Sequence, residues 1–274
     1  MLTQLPNINI VGSGPCFPTQ FTLETINMLN QCDRIFTIIN ECDCDAYRNL
    51  VSKPTENLRN LFLDNQPRYK NYDQVVKYII GSCEKNISIA YLTYGNPVFY
   101  DSITQKLILE AERNNLTCYL APAVSFLDTM MAALQKDPSP GLQMYEASVF
   151  VGAEIKPRVD VPLILVQVGV FASMYPDFEF KEEKRHSLIP LRDYLLNFYP
   201  PETQVTFVRT APTYNHHDYL KPYPLDKIGE VDKNDLANTT LFIPELEKLQ
   251  MKYNIYDKNK QFHSTQASST INIE

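Results

Sequence analysis

The feature that most constrains the fold is a series of apolar segments without polar alternation, each separated from the next by a helical pattern. Ile8–Val11, Arg34–Ile39, Ile87–Leu92 and Thr117–Leu120 are nearly continuous apolar runs. Leu23, Ile26 and Leu29 recur at helical spacing after the first, and Val75, Val76, Tyr78, Ile79 and Ile80 do so before the third. Ser102 is placed to cap a further helix with Leu107, Ile108 and Ala111 on its apolar side. A strand that loses alternation is buried on both faces, and a helix between two such strands lets them run parallel. The expectation is an α/β fold whose first half is a parallel sheet with helices on both faces.

The second half predicts strands at Ser148–Val151, Leu163–Val168, Gln204–Arg209 and Thr240–Ile243, a helix over Leu191–Asn197, and irregular chain through the Pro- and Tyr-rich Pro212–Pro224. That pattern implies a second α/β domain with a mixed sheet. The expected division is an N-terminal domain over 1–122, a C-terminal domain over 123–250 joined near Pro122–Ser125, and a polar, loosely ordered tail over 251–274. The chain of 274 residues has room for two such domains.

Charge narrows the function classes. A formal net charge of −7, with no clustered Lys/Arg stripe, argues against a nucleic-acid partner. No apolar run reaches the roughly 20 residues of a membrane span, and Met1–Pro6 lacks a basic n-region, so the expected location is cytoplasmic. Cys42 and Cys44 lie in an acidic segment without a second pair at zinc-ligand spacing. His216 and His217 could join them in principle, but adjacent histidines rarely point at one ion. No metal is expected.

Four constellations carry chemistry. Gly12-Ser13-Gly14-Pro15 is a glycine turn between the first strand and a helix, suited to close backbone approach by a ligand; Phe17 stands where a dinucleotide fingerprint needs its third glycine. Tyr94–Phe99 follows the third strand at the carboxyl edge of the sheet, where open α/β sheets bind ligands, or is an ordinary strand-to-helix connection. Arg68 and Tyr72 are four apart and share a helix face, as a guanidinium–phenol pair for polarising a carbonyl and moving a proton, or as a solvated surface. Asp137–Ala147 is a Pro/Gly loop leading into polar and aromatic residues, and Gln167 ends a buried strand, where its amide needs partners.

Taken in order, Gly-Ser-Gly-Pro, Arg68 with Tyr72, Tyr-Gly-Asn-Pro-Val-Phe, Ala-Pro-Ala-Val-Ser-Phe, Gln-Val-Gly and Thr-Thr-Leu-Phe-Ile-Pro resemble the tetrapyrrole methylase superfamily over roughly residues 7–246. Pro138–Ala147, with Arg68 and Tyr72, is most similar to the borosin peptide backbone α-N-methyltransferases. The resemblance implies two α/β domains, S-adenosylmethionine as cofactor, and a homodimer. It implies cofactor contacts at Gly12, Pro15, Tyr94, Asn96, Val98, Phe99, Ser125, Phe126, Gln167, Thr239 and Thr240, with Arg68 and Tyr72 as the catalytic pair.

The departures are Asn96 in place of the usual His, no glycine after Pro97, Phe62 where borosin enzymes tend to carry a tyrosine, and Cys16 where porphyrin methylases carry an acidic residue. An amide nitrogen is a poor nucleophile because its lone pair is delocalised. Arg68 would therefore polarise the carbonyl and Tyr72, its pKa lowered by Arg68, would take the proton, while Tyr94 and Phe99 suit a cationic methyl donor. His263–Glu274 lacks an apolar core, so the expected acceptor is a separate precursor peptide, as in a split borosin that makes a ribosomal peptide product. The alternatives are a methyltransferase for a tetrapyrrole or other small molecule, a non-catalytic module that binds S-adenosylmethionine, and a nicotinamide oxidoreductase.

Overall fold

The computed structural model describes residues 5–175, 187–211, 218–248, 250–251 and 271–272. The first compact unit extends to Gln135, and segments beginning at Ser173 and Arg209 return to it. In order it holds β1 (Ile8–Gly12), α1 (Leu23–Gln31), β2 (Arg34–Thr37), α2 (Asp45–Arg48), β3 (Thr55–Asn57), α3 (Arg68–Gly81), β4 (Ile89–Thr93), α4 (Ser102–Arg113), β5 (Cys118–Leu120) and α5 (Phe126–Leu134). The sheet has the order β3-β2-β4-β1-β5, with every pairing parallel.

Burial on both faces explains the missing alternation. Ile8, Ile10, Ile89 and Tyr91 pack with Val75, Val76 and Ile79 of α3 and Ile103 and Leu107 of α4. Their strand neighbours Val11, Ala90 and Leu92 pack the opposite way with Leu29 of α1, Phe17 and Tyr47. Leu23, expected on the apolar face of α1, is instead 80% exposed, and the buried positions of that helix are Thr25 and Leu29. The edge strand β3 is Thr-Glu-Asn and has no apolar signature, because it pairs on one side only.

The expected junction near Pro122–Ser125 moves to the far side of α5. Ser125 and Asp128 form a reciprocal capping box that opens this helix, and Phe126 packs edge-on against Phe99 at 6.1 Å. The ring contact ties α5 to the first unit.

The second unit holds β6 (Gln143–Glu146), α6 (Ala147–Gly152), β7 (Leu163–Val166), α7 (Ile189–Leu195), β8 (Gln204–Arg209), β9 (Tyr219–Pro224) and β10 (Thr240–Ile243). Its sheet has the mixed order β6-β7-β10-β8-β9. β6 and β7 are parallel, while β10 is antiparallel to both β7 and β8. Ser148–Val151, expected as a strand, is helix α6. The Glu146 carboxylate accepts from Val149 N at 2.7 Å, and Ala147 and Phe150, three apart, are the buried pair.

The expected irregular stretch Pro212–Pro224 ends as strand β9. Pro222 is tolerated there because β9 is an edge strand with one ladder to serve. Gln250–Met251 pairs antiparallel with Ile271–Asn272; otherwise the expectation for the tail lies outside the described residues. Among the described residues, no helix is long and apolar enough to cross a membrane.

Candidate active site

The order of the parallel sheet creates a place for a ligand before any side chain is considered. From β1 the chain passes over β4 to reach β2, and from β4 it passes back over β1 to reach β5. The connections leaving β1 and β4 therefore diverge, and a crevice opens beyond their carboxyl ends. The two loops at that crevice are Gly12–Pro15 and Tyr94–Phe99.

These loops are joined backbone to backbone. Gly14 N donates to Gly95 O at 3.1 Å, Gly95 N donates back to Gly14 O at 3.3 Å, and Ser13 N donates to Thr93 O at 2.9 Å. Gly14 and Gly95 have φ of +67° and +69°, which glycine adopts without a Cβ penalty. A Cβ on Gly12 would collide with the Gly95 carbonyl oxygen and stand 2.7 Å from Ala123 Cβ and 2.8 Å from Pro97 Cδ, so the Tyr94–Phe99 loop and the Ala123 segment both close on that glycine. A Cβ on Gly95 would meet nothing within 4 Å, so its backbone borders open space.

The glycine turn is not itself a helix start. Pro15 is buried, a loop follows, and α1 begins only at Leu23, capped by Thr22. Phe17 is 3% exposed and packs against Phe21 and Tyr47. A dinucleotide fingerprint needs a third glycine at a helix N-terminus; a core phenylalanine occupies that place.

Several expected cofactor residues spend their side chains on the loops themselves. Asn96 Nδ2 donates to Ala123 O at 2.6 Å, and its Oδ1 accepts from Val98 N at 3.1 Å. Ser125 is 3% exposed, and its hydroxyl serves the capping box with Asp128. Both side chains are thus spent on shaping the loops. Tyr94 and Val98 are the half-exposed side chains of the same loop, 51% and 50%, and Phe99 is buttressed by Phe126.

In the second unit, Gln167 follows β7 in the left-handed region at φ 60°. A Cβ on Gly169 would collide with Leu236 O and lie 3.5 Å from Asn238 N, which sets the Gln167–Gly169 turn against the Leu236–Asn238 turn that opens β10. Thr239 lies there, buried, donating to Leu236 O at 2.8 Å, and Thr240 pairs with Val208. Gln167, Thr239 and Thr240 thus share one end of the second sheet. Gln143, within the Asp137–Ala147 segment, fastens the Arg158–Val161 segment through its amide.

Arg68 and Tyr72 occupy the first turns of α3, the helix that leads into β4. In a parallel sheet, that helix starts at the carboxyl edge of the strands, on the side of the two glycine loops. Arg68 is held at both ends: its N–H donates to Met174 O and its guanidinium Nη2 to Ser173 O, each at 2.8 Å. Tyr72 packs edge-on against Phe62 with ring centroids 6.0 Å apart. Arg68 does pull the Tyr72 pKa down, as expected, but the net shift is upward. Burial pushes the phenol up, Arg68 opposes that by charge and hydrogen bonding, and Asp101 adds a further upward push. Burial wins because it removes the phenolate from water, while a single cation already shared with a backbone carbonyl offsets only part of the cost.

Asp101 also ties the pair to the second loop. It ends the Tyr94–Tyr100 segment and caps α4, accepting from Ile103 N at 2.9 Å and from the Thr104 hydroxyl at 2.8 Å. Among the described residues, no group of His, Cys, Asp and Glu is arranged to hold a metal ion. His216 and His217 lie outside the described residues.

Residues 7–162 match the family model for tetrapyrrole (corrin/porphyrin) methylases. The chain belongs to the tetrapyrrole methylase family. The matched range contains both glycine loops, Arg68, Tyr72, Ser125 and Phe126, and stops short of Gln167. The methylases of this family depend on S-adenosylmethionine, and one similar solved structure, uroporphyrin-III C-methyltransferase from Thermus thermophilus, holds S-adenosylhomocysteine. That structure gives a TM-score of 0.54 at 13% identity, over 87% of this chain and 97% of its own.

A cobalt precorrin-4 methyltransferase gives a TM-score of 0.61 at 12% identity, over 86% and 94%. These likenesses show the fold. Among curated relatives, a methyltransferase/ribosomally synthesized type III borosin cyclic peptide precursor of Anomoporia bombycina is 27% identical over 241 residues, which is 86% of this chain and 27% of that protein. The gymnopeptides precursor of Gymnopus fusipes is 25% identical over 89% of this chain and 58% of its own length. The chain therefore spans less than two thirds of either relative.

Proposed function

We propose that this tetrapyrrole methylase transfers methyl groups from S-adenosylmethionine to backbone amide nitrogens of a precursor peptide. The observation that carries the reading is Arg68 and Tyr72 at the start of α3, on the loop edge of the sheet, with Asp101 of the Tyr94–Asp101 segment acting on Tyr72. The borosin-precursor relatives supply the acceptor class.

The loop edge suits the cofactor. Backbone at Gly95 borders open space, and the half-exposed ring of Tyr94 beside it can face a cation through its π surface. When bound, S-adenosylmethionine supplies an electrophilic methyl group on a sulfonium. Arg68, fixed by Ser173 and Met174, places positive charge where the amide carbonyl oxygen gains negative charge. Tyr72 takes the amide proton in its ionised form. Its raised pKa makes that form scarcer at neutral pH but more basic, which matches it better to a weakly acidic amide.

Gln167, Thr239 and Thr240 are proposed to contribute cofactor contacts from the second unit. Calorimetry tests the cofactor assignment: S-adenosylhomocysteine should bind and NAD should not. Tight NAD binding without a response to S-adenosylhomocysteine would overturn it. Methyl transfer to a porphyrinogen but to no peptide would move the acceptor class to tetrapyrroles.

A further inference from the structure

Tyr91 is a core residue of β4 with no exposed surface, yet it is a tyrosine. Its hydroxyl has no hydrogen-bond partner among the described residues. A phenylalanine would fill the same space without that cost, since an unsatisfied buried hydroxyl is among the more expensive features a core can carry. Its position on β4 points to a reason for the cost. Tyr91 lies on the sheet face covered by α3 and α4, in the apolar cluster against which Tyr72 and Phe62 pack.

The charged and titratable groups facing this spot are Arg68 and Tyr72 from α3, Asp101 ahead of α4, and Tyr91 itself from β4. The Asp73–Lys106 ion pair joins the two helices on their exposed side. Burial, Asp101 and Tyr72 all resist ionisation of Tyr91; the Thr93 hydroxyl eases that resistance without completing a hydrogen bond. Tyr91 therefore stays a phenol, able to donate one hydrogen bond and unable to act as a base. Phe62, the ring stacked edge-on at Tyr72, has no hydroxyl to offer.

We propose that Tyr91 is a positioning residue for Tyr72: its hydroxyl donates a hydrogen bond to the Tyr72 oxygen when that oxygen carries negative charge. Among the described residues the hydroxyl has no partner because its partner is the phenolate. No bond is made or broken at Tyr91; it raises the ionised fraction of Tyr72 against burial and the charge of Asp101. The inference rests on the peptide methyltransferase reading, but its first test needs no substrate.

The variant is Tyr91→Phe, compared with wild type and with Tyr72→Phe as the assignment control. In protein labelled with ¹³C at tyrosine Cζ, the Tyr72 resonance is followed through an alkaline titration. The expected result is an upward shift of its midpoint by about one pH unit, the scale of a lost hydrogen bond to a charged group. The thermal midpoint should be unchanged or higher. Single-turnover methyl transfer near neutral pH should fall about tenfold, with S-adenosylhomocysteine affinity unaltered and the difference vanishing above the Tyr72 midpoint. An unchanged Tyr72 midpoint overturns the proposal and leaves Tyr91 as core. A lower thermal midpoint with an unchanged titration assigns the hydroxyl a structural partner, and overturns it equally. If wild type methylates no peptide, the titration still decides the Tyr91–Tyr72 coupling separately from the acceptor.

Discussion

Replacing Gly12 with alanine adds one methyl group where the structure has no room for it. The new Cβ would run into the Gly95 carbonyl oxygen and lie 2.7 Å from Ala123 Cβ and 2.8 Å from Pro97 Cδ. Neither backbone nor a proline ring can rotate away, so the two glycine loops must separate. Overpacking of this kind costs about 1–3 kcal/mol. Separation also weakens the paired Gly14–Gly95 hydrogen bonds, at roughly 1 kcal/mol each. A loss of about 2–4 kcal/mol is therefore expected, equivalent to roughly 1–2 M in urea midpoint.

Gly95→Ala is the contrasting variant. Its Cβ meets nothing within 4 Å, and its cost is the left-handed backbone at φ +69°, about 1–2 kcal/mol. Because that Cβ projects into the space assigned to the cofactor, its main effect should be on S-adenosylhomocysteine affinity. Urea denaturation and calorimetry on the two variants separate the effects. A Gly12→Ala protein with the wild-type midpoint and wild-type affinity would refute the close packing of the Tyr94–Phe99 loop and Ala123 on Gly12.

Alkaline stability follows from the buried phenols. Tyr199 is pushed up to about 12 by burial, and Tyr47 and Tyr91 are raised by the same cause. The folded state keeps these protons where the unfolded chain has lost them, so stability is full below about pH 10 and falls as pH rises from there towards 12. The Tyr199 share is up to about 3 kcal/mol, measurable as urea midpoints at pH 9 and 11, and a flat profile would contradict it. Arg68→Lys keeps the charge but loses the fork that reaches Ser173 O, so single-turnover transfer should fall about tenfold or more with cofactor affinity retained; an unchanged rate would remove Arg68 from the chemistry. Light scattering at micromolar concentration should give twice the 31.6 kDa chain mass for the proposed homodimer, and the chain mass itself would exclude it.

How much was legible in the sequence depended on where each residue's environment came from. β1, β2 and β4 could be read because burial on both faces leaves one continuous apolar run. β3, β6 and β9 could not, since a polar or proline-containing edge strand is specified by the neighbour it pairs with. The run Ser-Val-Phe-Val misled through its β-branched residues, where the Glu146 cap decided for helix. The glycine loops and the Arg68–Tyr72 pair were visible as spacing and composition. The pKa direction of Tyr72 was not, because it comes from side chains of β4, α4 and the segment before α3 closing over it. Tyr91 carried no signal at all: in the sequence it is one apolar ring of a buried strand, and only a buried hydroxyl without a partner among the described residues distinguishes it.

The central claim is that Tyr72 takes the amide proton during methyl transfer to a peptide nitrogen. Tyr72→Phe keeps the ring packed on Phe62 and deletes only the oxygen. Single-turnover transfer to a candidate precursor peptide, followed by tandem mass spectrometry that localises each added CH₂ to a backbone nitrogen, tests the claim directly. The account predicts backbone methylation by the wild type, a loss of about 10²-fold or more in Tyr72→Phe at unaltered S-adenosylhomocysteine affinity, and a wild-type rate that rises with pH to beyond 10. Methylation by Tyr72→Phe at the wild-type rate would contradict it.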